Sequence, residues 1–431
     1  MSISDNEVWD FAERAWNGEL TDEERRASPL LLFNGGIVEI KDDIYFYIGF
    51  GNVTIVDTYD GIVLIDSGHQ KMGDMVYQII REKFKKKWII ACIYTHGHID
   101  HVGGIIDIQH SQKRDGGPDI KIYGHSSVGK RLDRYKETCG YNAHINSIQF
   151  TAGKNSIDSN YNHFIHPSIT YEDQLDVEIG GTKFNLNHDK GETDDATWVY
   201  IEDQKILCTG DFFIWNMPNC GNPQQTQRYP EEWAIALKKM LYKDIECLLP
   251  GHGPMICGKD RVKQALTDTS SFLQDIYNQT IQLMNHGYTL NQIISEVKLN
   301  EKLINKPYLR PFYDDPEFII RNIWRLKGGW WDFEIYTLKP PSSKELSEEV
   351  SNLFESITAQ IDHINKLISE GKYKTALFFV EMAYKTHPYD KNVLKIKSEI
   401  LELMIETENA LMVRNIYANA KGICDDALDN N

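Results

Sequence analysis

Three imidazoles and one carboxylate fall within six residues in Thr95-His96-Gly97-His98-Ile99-Asp100-His101, directly after the apolar run Trp88–Tyr94. That run reads as a strand, so the segment sits in a loop at a sheet edge, where sites are usually built. Three imidazoles with a carboxylate suit a borderline cation such as zinc. In this reading His96 and His98 turn toward one ion, while Asp100 and His101 reach a second. The bland alternative is a polar turn holding unrelated histidines. It suits a lone histidine, but not H-x-H-x-D-H at a strand end.

Further donors stand after two more apolar runs. Asp211 follows Leu207-Cys208-Thr209-Gly210, and its carboxylate can bridge two ions. His252 follows Leu248-Leu249-Pro250-Gly251 and is held in a tight Gly/Pro turn. Each is weak alone. Together, each at the carboxyl end of an expected strand, they complete a centre for two divalent ions.

The rest of the chain supports an α/β fold. Residues 36–66 alternate short β-rich runs with turns, and a helix is expected over about Lys71–Lys86. A second helix should follow Gly104, and a strand should cover Ile120–Tyr123. Strands return at Leu175–Ile179, Lys183–Leu186, Trp198–Ile201 and Ile206–Thr209. Two sheets packed face to face and covered by helices are expected. After Pro254 the pattern is helical. Gly371, Tyr373, Ala376, Phe379, Ala383 and Pro388 fit one tetratricopeptide-like helix-turn-helix unit, which alone cannot make a solenoid.

A chain of 431 residues has room for two or three domains. The expected division is a helical extension at 1–29, a catalytic domain at 30–258, a helical domain at 259–425 and a polar tail at 426–431. The formal charge of −17 would repel nucleic acid or an acidic membrane, and the Lys83–Lys87 cluster reads as a solvated helix end. No apolar run reaches the ~20 residues of a membrane span, and Met1–Arg26 carries no secretory leader pattern. The seven cysteines form no C-x-x-C pair and read as reduced, buried thiols, which places the chain in the cytoplasm.

The ordered set His96, His98, Asp100, His101, Asp211 and His252 resembles the metal-binding motifs of the metallo-β-lactamase superfamily. Asp66, in Leu64-Ile65-Asp66-Ser67-Gly68, matches the acidic residue that follows its early strands and supports the ligands. The resemblance covers roughly residues 30–258 and implies an αβ/βα sandwich followed by an all-helical C-terminal domain. Where superfamily members usually carry a histidine, this sequence reads Lys190-Gly191-Glu192-Thr193-Asp194-Asp195, so Glu192 is the expected donor and His188 its rival. A glutamate there marks the alkyl sulfatase branch. The segments Asp315-Pro316-Glu317-Phe318 and Gly328-Gly329-Trp330-Trp331-Asp332 resemble the alkyl sulfatase dimerisation domain, which implies a homodimer.

The chain also departs from that branch. Asp211 stands where a bridging glutamate is usual, and no histidine lies between His188 and His252 to act as general acid. Asn142 and Asn146 are the candidates for gripping sulfate oxygens. Tyr229, His144 and Lys190 are the candidates for protonating the leaving group, and Asp100 is the candidate for orienting the nucleophile while ligating. The expected activity is therefore hydrolysis of an alkyl or other sulfate ester, a small molecule, by hydroxide held between two divalent ions, most simply Zn2+. The alternatives are a phosphodiester, lactone or thioester hydrolase and an inert metal-binding scaffold.

Overall fold

The computed structural model describes residues 5–33, 37–154, 164–223 and 226–430. Gly36, the expected first residue of the first strand, lies outside them. The described residues form two compact units, one of those within 5–139 and 164–329 and the other of those within 140–154 and 330–430.

The first unit holds two sheets. Strands β1 (Ile37–Lys41), β2 (Ile44–Tyr47), β3 (Val53–Asp57), β4 (Ile62–Ile65), β5 (Ile89–Ile93), β6 (Lys121–His125) and β7 (Ile169–Tyr171) lie side by side in sequence order. They pair antiparallel up to β4 and parallel from β4 to β7. The second sheet runs β13 (Ile256–Cys257), β12 (Cys247–His252), β11 (Ile206–Ile214), β10 (Thr197–Ile201), β9 (Thr182–His188), β8 (Gln174–Ile179). Only β11 and β12 run parallel there.

Strand alternation builds the layers. Val56, Val63, Ile65, Ala91 and Ile93 pack between the sheets with Val199, Ile206, Cys208 and Leu249. Their neighbours Ile55, Ile62, Leu64 and Cys92 face the opposite way, onto helices Gly73–Lys83 and Ile105–Arg114. On the far face of the second sheet, Leu207 and Leu248 meet helices Pro230–Met240, Lys259–Asn285 and Pro316–Lys327. The expected helix-covered sandwich is what forms. The chain leaves the first unit later than the sequence pattern suggested. Val262, Leu266, Phe272, Ile319 and Trp324 belong to the same buried cluster as Trp233 and Leu248, so residues 259–329 close the core of the sheet unit.

The second unit is helical, with Ile364, Ala376, Val380, Ile396 and Ile400 in its core. Gly371, at φ +71°, makes the turn between helices Ile357–Ser369 and Tyr373–Thr386. Helix Cys139–Thr151 is tied to helix Leu411–Asp429, since Asn415 donates to the Gln149 carbonyl at 2.7 Å. One sequence expectation is corrected. Cys247 and Cys257 face each other across β12 and β13 and form a disulfide, leaving Cys92, Cys139, Cys208, Cys220 and Cys424 as free thiols. Alternation along the strands places both side chains on one face in register, which residue spacing alone does not reveal. Among the described residues no helix is long and apolar enough to cross a membrane.

Candidate metal centre

Parallel pairing puts the carboxyl ends of β4 and β5 at one edge, and those of β11 and β12 at one edge of the facing sheet. The loop after β5 carries His96, His98, Asp100 and His101. Asp66 directly follows β4. His252 is the last residue of β12. Asp211 is not at a strand end, because β11 continues to Ile214. Its pairing with β12 breaks at Gly210, which adopts φ +50°, and that irregularity aims the Asp211 carboxylate at the loop after β5.

Seven side chains then converge as two groups. His96, His98, Glu192 and Asp211 form one, with ligand atoms all within 4.8 Å of each other; Asp100, His101 and His252 form the second. Asp211 spans both. Its Oδ2 lies 3.7 Å from His96 Nε2, while its Oδ1 lies 3.3 Å from His101 Nε2 and 3.5 Å from His252 Nε2. His252 Nε2 is 3.4 Å from Asp100 Oδ2, and His96 Nε2 is 2.9 Å from His98 Nδ1. Tetrahedral zinc with bonds of about 2.0–2.2 Å requires donor atoms about 3.3 Å apart, so these spacings suit a cation in each group.

The unsatisfied atoms agree with that fit. Glu192 Oε2 and Asp211 Oδ1 are buried without a hydrogen-bond partner, although burial of a lone carboxylate oxygen is costly. Glu192 Oε1, by contrast, is engaged by the Arg228 guanidinium and by Asn219 Nδ2 at 2.6 Å. One oxygen is therefore anchored to the protein and the other left for a ligand. Burial pushes His96 and His98 well below their ordinary pKa, which keeps both as neutral donors. Burial also opposes charge on His101, yet Asp211, Asp100 and Asp66 hold its pKa well above the usual value. Burial lifts Glu192 well above the carboxylate range against the pull of Arg228. His101 and His252 overcome the same burial effect at Asp211 and hold it low.

Supporting contacts fix these donors. Asp66, in the left-handed region at φ +60°, accepts from Thr95 N and Thr95 Oγ1 at 2.7 Å and meets His101 Nδ1 at 2.8 Å. Asp195 accepts from Gly97 N at 2.8 Å and from Arg131 Nε at 2.9 Å. Asn52 donates to the carbonyls of Pro250 and Gly253, on either side of the Gly251-His252 turn, at 2.9 and 2.8 Å. Two glycines are required by contact: a Cβ on Gly251 would stand 2.0 Å from Asp211 Oδ1, and one on Gly51 would stand 1.7 Å from the Asp100 carbonyl oxygen.

The remaining expected residues fall elsewhere. His188 is outside both donor groups; its Nδ1 donates to the Ala196 carbonyl at 2.8 Å and its ring stacks on His125 with centroids 3.6 Å apart. Tyr229 begins helix Pro230–Met240, beside the loop carrying Glu192, and its amide donates to Gly191 O at 3.0 Å. Lys190 Nζ sits 5.1 Å over the Tyr229 ring. Asn142, His144 and Asn146 lie on helix Cys139–Thr151, in the second unit, so the roles expected for them rest on the sequence alone. Phe212, Phe213, Trp215 and Trp233, next to or near Asp211 in the chain, are at most 2 % exposed and belong to the core.

Sequence reading did not single out Arg228, Asn219, Arg131 or Asn52, which lie far from their partners along the chain and in no motif. It also passed over His69, Tyr313 and Phe50. Burial lowers the pKa of His69 while Asp100 raises it; burial raises that of Tyr313, with Asp100, Glu192 and Asp211 adding to it.

Residues 47–252 match the family model of the metallo-beta-lactamase superfamily, and residues 289–423 match that of alkyl sulfatase dimerisation. The chain is 26 % identical over 309 residues to a linear primary-alkylsulfatase of a Pseudomonas strain, covering 66 % of this chain and 57 % of that protein. It is 25 % identical over 411 residues to an (R)-specific secondary-alkylsulfatase of Pseudomonas, covering 89 % and 61 %. The chain thus spans about three fifths of the length of these relatives. Its fold is like that of the inverting sec-alkylsulfatase Pisa1 from Pseudomonas, with TM-score 0.82 at 22 % identity over 90 % of this chain and 65 % of that one.

Proposed function

We propose that this chain, whose residues 47–252 and 289–423 match the family models of the metallo-beta-lactamase superfamily and of alkyl sulfatase dimerisation, hydrolyses sulfate esters at a binuclear metal centre. The observation that carries the proposal is the pair of donor groups sharing Asp211, with Glu192 presenting one bare oxygen to the first.

His96, His98, Glu192 and Asp211 would hold one divalent cation, and Asp100, His101, His252 and Asp211 a second, with zinc the best match to this mixture of imidazole and carboxylate. Such cations supply Lewis acidity toward the ester and acidify a water toward neutrality. The chain's own residues do the rest. Asp66 accepts a hydrogen bond from His101 Nδ1–H, which fixes the tautomer that leaves the Nε2 lone pair for the second donor group. Asp100 accepts a hydrogen bond from the attacking water and orients it. Tyr229, whose pKa burial raises, stays protonated at neutral pH and donates to the departing oxygen.

A homodimer is part of the proposal, supported by the match to a dimerisation family and by the exposed Trp330, Ile335, Tyr336 and Leu353 within it. A cytoplasmic location is supported by the five free thiols and opposed by the Cys247–Cys257 bond. Asp211 in the bridging position, rather than glutamate, favours a second reading, a hydrolase of phosphodiesters, lactones or thioesters.

Sulfate release from dodecyl sulfate by the zinc-loaded protein tests the first reading. Turnover that a chelator abolishes, and that Asp100→Ala loses, is expected. No release from dodecyl sulfate, with turnover of a phosphodiester or lactone instead, would give the second reading its place.

A further inference from the structure

An apolar ester whose charged head sits at the donor groups has to pass its carbon chain over the rim of the site. The four buried aromatics from Phe212 to Trp233 cannot meet it there. Phe50 can. It is half-buried, its ring centroid is 5.9 Å from that of His252, and it is equally 5.9 Å from that of His69.

The backbone around Phe50 is pinned to the metal centre from both sides. Gly51, at φ +82°, presses on the Asp100 carbonyl so closely that no Cβ fits. Asn52 N donates to the Gly251 carbonyl at 2.9 Å, and Asn52 Oδ1 accepts from Gly49 N at 3.1 Å. Gly49 in turn lies against Met72, whose Cε is 2.6 Å from where a Gly49 Cβ would stand. Met72 is also half-buried, and a thioether adapts to ligands of varied shape. The result is a phenyl ring and a methionine held at the edge of a strongly polar centre. A half-buried ring there leaves apolar surface in water until an apolar group covers it.

We infer that Phe50 determines substrate specificity, packing against the first carbons of an alkyl or aryl group joined to the ester oxygen, with Met72 extending the contact. The inference rests on the metal-centre reading but does not require that the scissile ester be a sulfate.

Decanesulfonate and ethanesulfonate, which carry the same head and cannot be hydrolysed as esters, separate the chain contribution from the head contribution. Calorimetry of both with zinc-loaded wild type, Phe50→Ala and Phe50→Leu is the test, with metal content measured alongside. Wild type should bind decanesulfonate more tightly. Phe50→Ala should lose about tenfold for decanesulfonate, little for ethanesulfonate and no metal, with Phe50→Leu intermediate. Equal loss for both ligands, no loss for either, or no binding by wild type overturns the inference. Where Phe50→Ala loses metal, Phe50→Leu decides alone by the same comparison. Phe50-dependent binding without sulfate release from dodecyl sulfate leaves Phe50 in place and sinks the sulfatase reading.

Discussion

Asp66 is 3 % exposed and touches three groups at once, the Thr95 amide, the Thr95 hydroxyl and His101 Nδ1. An asparagine fits the space but offers one acceptor oxygen instead of two and no charge, so the His101 tautomer is no longer fixed. Metal affinity of Asp66→Asn should fall about 10–100-fold, measured by competition with a chromophoric chelator. Wild-type affinity would show that His101 needs no anchor. Asp66 and the candidate donors His96, His98, Asp100, His101, Asp211 and His252 can be picked out in the sequence, because apolar runs precede them and their side chains suit a cation, whereas Glu192 came only with the family resemblance. Arg228 cannot be picked out. It lies 36 residues beyond Glu192 in a polar stretch, and only folding brings the guanidinium to the buried carboxylate.

Among elements, the ends of β6 and β9 show how the two sheets are joined beside the site. His125 closes β6 and His188 closes β9, and their rings stack at an interplanar angle of 11°. Next to them Tyr171 Oη and Thr197 Oγ1, from opposite sheets, meet at 2.6 Å. Burial lowers the pKa of His125 and His188 adds to the effect, while Asp195 and Glu172 oppose it. Ser127 N donates to His125 Nδ1 at 3.2 Å, which suits the neutral ring. A histidine whose folded-state value lies below its unfolded value of about 6.5 contributes stability that is present above that pH and is lost as pH falls through the folded value. The apo protein's thermal midpoint should therefore drop from about pH 7 to about pH 5, and His125→Gln should flatten part of that drop. Parallel curves for the two proteins would take His125 out of the account.

For the molecule as a whole, the second unit carries Trp330 at 72 % and Leu353 at 80 % exposure within the stretch matching a dimerisation family. Light scattering of the intact chain should give about twice the 49.8 kDa of one copy at micromolar concentration. A mass of one copy would end the homodimer proposal. The net charge of −17 belongs to this scale too, since it sets a field that disfavours polyanionic substrates without identifying the right one.

By itself the sequence determined the strand pattern and the side-chain types, in the loop after β5 and at Asp211 and His252, that could serve a cation. These follow from local periodicity and side-chain chemistry. Tertiary structure decided which of Glu192 and His188 joins the donors. His188 closes β9 and Glu192 lies in the loop after it, but the Ala196 carbonyl and the His125 ring claim His188, whereas Arg228 and Asn219 hold Glu192 with one oxygen bare. It decided that residues 259–329 complete the sheet unit, because an amphipathic helix does not specify which apolar surface will cover it. It also decided that Phe50, rather than the four aromatics now in the core, stands at the rim, since burial depends on contacts between residues far apart in the chain.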